Sequence, residues 1–383
     1  MLRQYQLKMP GTVYSGEGSM EKITEVCRGH RKAAVFTDQG VCRAGLADLP
    51  VTLLKKAGLE VELLDDLPAE PDCGQAQKTV ERFRETGADF IAAVGGGSVM
   101  DAAKLASVSA PKGCTVRELL ADPMQAKKQT KTLMIPTTAG TGSEATPNSI
   151  VAVPEQETKA GIVNPEMLPD AVILDGIMIK ELPQKIAAST GIDALAHALE
   201  CYTSRKANPF SNLFAMEALK LIFENLLPAC RDPEAIEAKN KMLLAAFYGG
   251  VSITASGTTA VHGLAYPLGG RYHIAHGIAN AVMLLPVMRF NRETCQKEFA
   301  RIYDALGGKP AADAEEKSWR LLERLETLLR ALEIPADLKD FGVGREDLED
   351  LVWAGMEEQR LLGNNKRRVT AEDARNLYLE VLT

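Results

Sequence analysis

Across residues 1–180 the chain alternates short apolar runs of strand length with stretches of helical periodicity, and after Leu182-Pro183 it stops doing so. Lys32-Ala-Ala-Val-Phe-Thr37 is the first clear run, and Leu59-Glu-Val-Glu-Leu-Leu64 alternates with period two. Asp89-Phe-Ile-Ala-Ala-Val94 is almost continuously apolar, the pattern of a strand buried on both faces. Thr132-Leu-Met-Ile-Pro136 and Ala171-Val-Ile-Leu-Asp175 are two further runs. Between them, 43–57, 74–87 and 98–108 carry helical spacing. Strands separated by helices of this length dictate a parallel sheet covered on both faces.

Beyond the proline the β-branched runs largely vanish. Asn208-Pro209 reads as a cap followed by a proline in the first helical position, with Phe210, Leu213, Phe214 and Leu221 as the apolar stripe. Residues 318–332 form a Leu/Arg/Glu amphipathic stretch, and Thr370 with Asp373 makes a capping-box pair before a final helix. A chain of 383 residues is long for one core. The expected division is an α/β domain over 1–180 and an all-helical domain over 181–383.

The formal charge of −7 argues against a nucleic-acid or anionic-membrane surface. No apolar stretch reaches the roughly 18 residues of a membrane span. The first residues, Met1-Leu-Arg-Gln-Tyr-Gln-Leu-Lys8, lack the apolar core of a signal peptide. Seven scattered cysteines without a CxxC read as reduced thiols, so the expected location is the cytoplasm.

Two glycine loops each follow a predicted strand. In Val94-Gly-Gly-Gly-Ser98-Val-Met-Asp101-Ala-Ala-Lys104 the absent side chains let backbone N–H groups approach a phosphate at a helix N-terminus. The plainer alternative is a tight turn needing positive φ. The loop is neither GxGxxG nor a Walker A loop. The second, Pro136-Thr137-Thr138-Ala-Gly-Thr-Gly-Ser-Glu144, offers hydroxyls and bare backbone at the same edge of the sheet, where open α/β sheets bind ligands. Asp38, ending the first clear strand, suits either the hydroxyls of an adenine ribose or a helix N-cap.

Four of the five histidines fall close together. Asp193 and His197, four apart, share one face of a helix. His262, His273 and His276 follow, two of them directly before glycine. A carboxylate with imidazoles in this number can hold a divalent first-row metal. His262 and His276 are the favoured further ligands and His273 the reserve. Glu200 reads as a structural or outer carboxylate. Arg271 reads as a surface residue, with a cleft-facing anion receiver as the alternative.

Taken together these segments resemble the iron-containing (group III) alcohol dehydrogenase family over nearly the whole chain. Pro10-Gly-Thr-Val-Tyr-Ser-Gly-Glu-Gly18 looks like its N-terminal strand and turn, and the two glycine loops look like its pyrophosphate and nicotinamide-side loops. Thr190-Gly-Ile-Asp193-Ala-Leu-Ala-His197 and His262-Gly…His276-Gly look like its metal signatures. The resemblance implies an N-terminal dinucleotide domain, a helical metal and substrate domain, and a metal in the cleft. It implies Asp193, His197, His262 and His276 as ligands of Fe2+, with Zn2+ as the alternative. It places Gly96, Gly97, Ser98 and Asp101 at the pyrophosphate side of NAD, Thr137 and Thr138 toward the nicotinamide, and Lys159 on the nicotinamide ribose. Asp38 then favours NAD, with NADP the alternative.

One position departs from the family pattern: Tyr266 stands where many members carry a further histidine. Tyr266 and His273 are therefore the candidates for proton transfer or substrate binding. A phenol donates a hydrogen bond but, with an unperturbed pKa of about 10, is a poor base near neutrality. The expected activity is hydride transfer between NAD(H) and a small primary alcohol or aldehyde, in a homodimer or larger homo-oligomer. The alternatives are an NAD- and metal-dependent lyase like the dehydroquinate synthases, which needs a Lys/Arg-rich pocket, and a non-catalytic relative.

Overall fold

The fold was analysed in a computed structural model that describes residues 4–68, 71–109, 115–153 and 158–382. The chain forms two compact units. One holds Lys8–Leu182 with Pro233–Gly250; the other holds Pro183–Asp232 and Val251–Thr383 with Met1–Leu7. The chain thus leaves the first unit at 182–183, close to the expected boundary near 181. Residues 233–250, expected with the helical part, pack with the sheet instead.

The sheet unit is built on six parallel strands: β1 (Thr12–Ser15), β2 (Lys32–Phe36), β3 (Glu60–Leu64), β4 (Phe90–Gly95), β5 (Lys131–Pro136) and, later in the chain, β8 (Ala171–Leu174). Their order is β1-β8-β5-β4-β2-β3. From β2 the chain winds first to β3 on one side and then to β4, β5 and β8 on the other. The reversal falls between β2 and β4, and the carboxyl ends flanking it are the ligand-binding edge of such a sheet. Side-chain alternation sends Phe90, Ala92 and Val94 into a core with Ile23, Leu53, Leu54, Leu133 and Ile135.

Two more strands, β6 (Asn148–Val153) and β7 (Thr158–Val163), form an antiparallel pair apart from the main sheet. The sequence did not lead us to expect this pair.

Among the helices of this unit are α1 (Gln39–Arg43), α2 (Asp48–Lys56), α3 (Cys73–Thr86) and α4 (Gly97–Val108). The helix expected over 43–57 is α2, which starts five residues later, at Asp48, while the separate short helix α1 precedes it. Asp72 and Gln75 cap α3 reciprocally. Helix α4 is buried nearly all round and packs on β4 and β5.

Among the described residues, the second unit contains helices and no strand. Its main elements are α5 (Gln184–Thr203), α6 (Pro209–Arg231), the end of α7 (Ile236–Ser256), α8 (Ala260–Tyr272), α9 (His276–Ala305), α10 (Ala314–Ala331), α11 (Leu348–Glu357) and α12 (Ala371–Leu379). Asn208 caps α6 through Phe210 N and Ser211 N, as its sequence requires. The buried stripe of α6 is, however, Ser211, Ala215, Ala218, Leu219, Ile222 and Leu226, while Phe210 and Leu213 are exposed. Small residues let α6 lie close against α5, so the larger apolar side chains took the outer face. Helix α10 buries Leu321, Leu322, Leu325 and Leu329, and the Thr370–Asp373 box opens α12.

Candidate active site

The glycine loops are juxtaposed within the sheet unit by the pairing of β4 with β5, which sets Gly95 beside Pro136. None of Gly95, Gly96 and Gly97 has positive φ, so the tight-turn explanation for these glycines fails. Gly95 and Gly97 are required for room. A Cβ on Gly97 would stand 2.9 Å from Thr141 Cγ2, and one on Gly95 would strike Val99. Gly96 is the N-cap of α4 without any side-chain capping bond. A Cβ there would meet only Thr138, at 3.6 Å. The half-buried end of a twelve-residue helix, with no other atom within 4 Å of a Cβ at Gly96 besides Thr138, is suited to an anion. Ser98 lies half-buried on its first turn.

Gly142 is the one glycine in this region whose backbone demands it: its φ is 61° and a Cβ would stand 2.7 Å from Gly250 Cα. That close approach explains why 233–250 belongs to the sheet unit.

Asp101 plays a different part from the cofactor contact expected of it. Its carboxylate accepts from Ser143 Oγ and from Ile150 N at 2.8 Å, and pairs with Lys104 at 2.9 Å. Lys104, fully buried, also donates to Ser143 O at 3.0 Å. The pair ties α4 to the Thr137–Thr146 loop and to β6, and so positions both loops from below. Thr137 is buried, with its N–H on Gly95 O, and Thr138 is half-buried over Gly96. Lys159 lies on β7, 8 % exposed. Asp38 ends β2 at the winding reversal and caps α1 through Val41 N at 2.9 Å. A carboxylate has two oxygens, so this bond leaves its expected ribose contact open.

The helical unit brings Asp193, His197, His262 and His276 together. Asp193 and His197 sit one turn apart on α5, His262 on the first turn of α8, and His276 at the first position of α9. Asp193 Oδ1 lies 3.7, 3.6 and 3.7 Å from the Nε2 atoms of His197, His262 and His276, and the His197 and His262 Nε2 atoms are 2.9 Å apart. A tetrahedral ion with ligands at about 2.1 Å requires ligand–ligand edges of about 3.4 Å. These separations lie near that value, and the donor atoms of Asp193, His262 and His276 all fall within 4.8 Å of one another, a set that suits a small divalent cation; His197, 2.9 Å from His262, lies outside that set.

Electrostatics agree. Asp193 is 1 % exposed and, among the described residues, no lysine or arginine pairs with it. Burial would raise its carboxyl, but the surrounding imidazoles, His197 foremost, hold it well below the usual range. A buried carboxylate needs a positive partner, which here is either protonated imidazole or a bound cation.

Glycine makes this convergence feasible. A Cβ on Gly277 would stand 2.8 Å from the Ser189 carbonyl oxygen, so α9 meets α5 backbone to backbone beside the ligands. His276 keeps 31 % of its side chain exposed and is the open member of the set. The Tyr266 ring lies 6.1 Å from the His276 ring, and burial pushes its phenol up to about 12.

His273 is not part of the cluster. It ends α8 in the left-handed region, φ 56°, with its side chain exposed. Spacing alone could not separate a helix terminator from a ligand three residues away. Arg271 pairs with Asp350 and stands over the Tyr272 ring, which settles it as a surface residue. Sequence reasoning missed Asn280. Its amide lies fully buried against the cluster, Nδ2 donating to Asp193 Oδ1 at 2.7 Å, while its Oδ1 has no hydrogen-bond partner. The signal was available, since Asn280 follows His276 by four residues, as His197 follows Asp193.

A doubly wound sheet with an anion-accepting helix end, together with a buried carboxylate–imidazole cluster, defines a dinucleotide- and metal-dependent oxidoreductase. More specifically, the chain belongs to the iron-containing alcohol dehydrogenase family. Residues 10–176 match the family's iron-containing alcohol dehydrogenase model and 187–382 its C-terminal model. Long-chain-alcohol dehydrogenase 1 of Geobacillus thermodenitrificans is 35% identical over 379 residues, covering 97% of this chain and 95% of that one. The crystal structure of a 1,3-propanediol oxidoreductase superposes with a TM-score of 0.94 at 28% identity, covering 99% of this chain and 100% of the other. Sulfoacetaldehyde reductase from Bifidobacterium kashiwanohense, solved in complex with NAD+, gives 0.89 at 26% identity, with 100% of both chains covered.

Proposed function

We propose that the protein transfers hydride between NAD(H) and a small primary alcohol or aldehyde. The ion would be Fe2+, with Zn2+ the alternative, held by Asp193, His197, His262 and His276. The observation that carries this is the approach of Asp193 Oδ1 to three imidazoles at 3.6–3.7 Å, with the donors of Asp193, His262 and His276 all within 4.8 Å of one another. Such an ion supplies Lewis-acid polarisation of the alcohol or carbonyl oxygen, and the nicotinamide supplies or accepts the hydride.

The chain's own residues do the rest. Gly96 and Gly97 leave the first N–H groups of α4 open to the pyrophosphate, with Ser98 beside them. Thr137 and Thr138 line the nicotinamide side, and Lys159 reaches its ribose. Asp38 favours NAD over NADP, because a carboxylate at the end of β2 accepts from ribose hydroxyls and repels a 2′-phosphate. Tyr266, beside the open ligand His276, holds its proton throughout the neutral range and acts as a donor to substrate oxygen. His273 and the Asp101 carboxylate have no part in this reading.

The homologues' names range from long-chain alcohol to sulfoacetaldehyde, so substrate size and charge are decided within the family by local residues. Tyr266 is the one we assign to that choice. We also propose a cytoplasmic homodimer or larger homo-oligomer. Among the described residues every cysteine is a free thiol and no helix is long and apolar enough to cross a membrane, and Phe210 and Leu213 offer an apolar outer face on α6.

The test is NADH absorbance with metal-reconstituted protein and a panel of small aldehydes, some of them anionic. Turnover by the wild type and none by Asp193→Ala is expected. A silent panel, or full activity in the variant, overturns the reading.

A further inference from the structure

Glu200 lies on α5 three residues beyond His197 and is fully buried. Both of its oxygens are committed, each to a different task. Oε1 accepts from Thr259 N at 3.0 Å, Thr259 Oγ1 at 2.8 Å and Val261 N at 2.8 Å. These are donors at the start of α8, whose own N-cap residue, Thr259, makes no side-chain capping bond. Glu200 therefore caps α8 from a different helix, and a carboxylate there also meets the positive end of the helix dipole. Oε2 contacts His262 Nδ1.

We propose that Glu200 is a positioning residue that fixes the tautomer of His262. An ionised carboxylate only accepts hydrogen bonds, so His262 Nδ1 must be the donor. The lone pair then resides on Nε2, the atom 2.9 Å from His197 Nε2 and 3.6 Å from Asp193 Oδ1. The donors on Oε1, which include His262 N at 3.4 Å, prevent the carboxylate from turning over, which makes the assignment rigid. One carboxylate thus sets the start of α8 and turns the ligand on its first turn toward the cluster. The proposal rests on the reading of His262 as a metal ligand.

Glu200→Gln separates the two tasks. The backbone donors hold the Gln carbonyl oxygen in the place of Oε1, so the cap survives. The amide NH2 then faces His262 Nδ1, and two donors cannot share that contact. The imidazole proton must move to Nε2, which removes the lone pair from the cluster. Metal-free protein is titrated with Zn2+ against a competing chelator, and with Co2+ followed by its visible absorption. For Glu200→Gln the expected outcome is unfolding behaviour close to wild type, Zn2+ affinity lower by about 10- to 100-fold, and an altered Co2+ spectrum. NAD+ affinity should stay unchanged. Wild-type affinity and spectrum in this variant overturn the proposal.

His262→Ala distinguishes the levels. If it binds Zn2+ as well as wild type, the ligand reading fails. If it binds poorly and Glu200→Gln binds normally, the role of Glu200 alone fails. Should Glu200→Gln not fold, long-range 1H–15N correlation on zinc-loaded wild type, assigned by loss of the signal in His262→Ala, decides the matter. A proton on Nδ1 is expected, and a proton on Nε2 overturns the proposal.

Discussion

Gly277→Ala tests whether the metal site depends on the backbone contact between α5 and α9. The new Cβ would stand 2.8 Å from Ser189 O and 3.0 Å from Ser189 C. Both are main-chain atoms, which cannot swing aside as a side chain would. Restoring an ordinary contact of about 3.4 Å needs a shift of about half an ångström between the helices. Ser189 lies one turn before Asp193, and Gly277 directly follows His276. The displacement therefore falls between two ligands. Their Oδ1–Nε2 separation, now 3.7 Å, would move farther from the roughly 3.4 Å of a tetrahedral edge. Overpacking of this kind costs about 1–3 kcal/mol of stability. The expected result is a modest loss in denaturation midpoint with Zn2+ affinity lower by at least about tenfold, read by chelator competition and by Co2+ absorption. NAD+ affinity should not change. A variant that is destabilised yet binds Zn2+ as tightly as wild type would show that the ligand geometry does not depend on this contact.

Gly96→Ala probes the dinucleotide side. The φ of −80° suits alanine and the nearest atom to the new Cβ is 3.6 Å away, so the fold should lose no more than about 1 kcal/mol for the poorer N-cap. The methyl occupies the space before the end of α4, and loss of one charge-assisted hydrogen bond predicts an NAD+ Kd about ten- to a hundredfold higher by titration. An unchanged Kd contradicts that placement of the pyrophosphate. Glu144→Gln addresses pH. Burial raises Glu144 from 4.5 to about 7, so the folded protein keeps this proton up to about pH 7 while the unfolded chain loses it near 4.5. Stability from this group is full below 4.5 and is lost as pH rises through 7. The variant, which cannot ionise, should gain on wild type by about 3 kcal/mol between pH 4 and pH 8 in denaturant titrations. A pH-independent difference contradicts the burial argument.

The parallel sheet and the helical second unit were legible because buried strands and amphipathic helices impose periods that a sequence displays openly. The β6–β7 pair was not, since six-residue strands with alternating burial resemble ordinary surface chain. The stripe of α6 was assigned to Phe210 and Leu213 because large apolar residues usually face inward. Here Ala215 and Ala218 do so, and closeness of approach outweighed side-chain size. The i, i+4 spacing on α5 and the order of the family motifs pointed to Asp193, His197, His262 and His276, of which Asp193, His262 and His276 form the mutually close set. His273 shows the limit of that logic: only backbone conformation distinguishes a left-handed helix end from a ligand three residues on. Asp101 shows another, because a carboxylate beside a glycine loop serves a phosphate site as readily by anchoring the next loop as by touching the cofactor. The partners of Glu200 depend on how α5 meets the start of α8, and no local pattern records that, whereas Asn280 follows His276 by one turn.

In the proposed reaction four residues from α5, α8 and α9 hold one catalytic cation. Anomalous scattering at the metal absorption edge, on crystals of the reconstituted protein, tests it most directly. The predicted result is a single strong peak within about 2.3 Å of a donor atom from each of Asp193, His197, His262 and His276, absent from Asp193→Ala crystals grown and loaded alike. A peak elsewhere, or one that persists at full height in the variant, contradicts the claim.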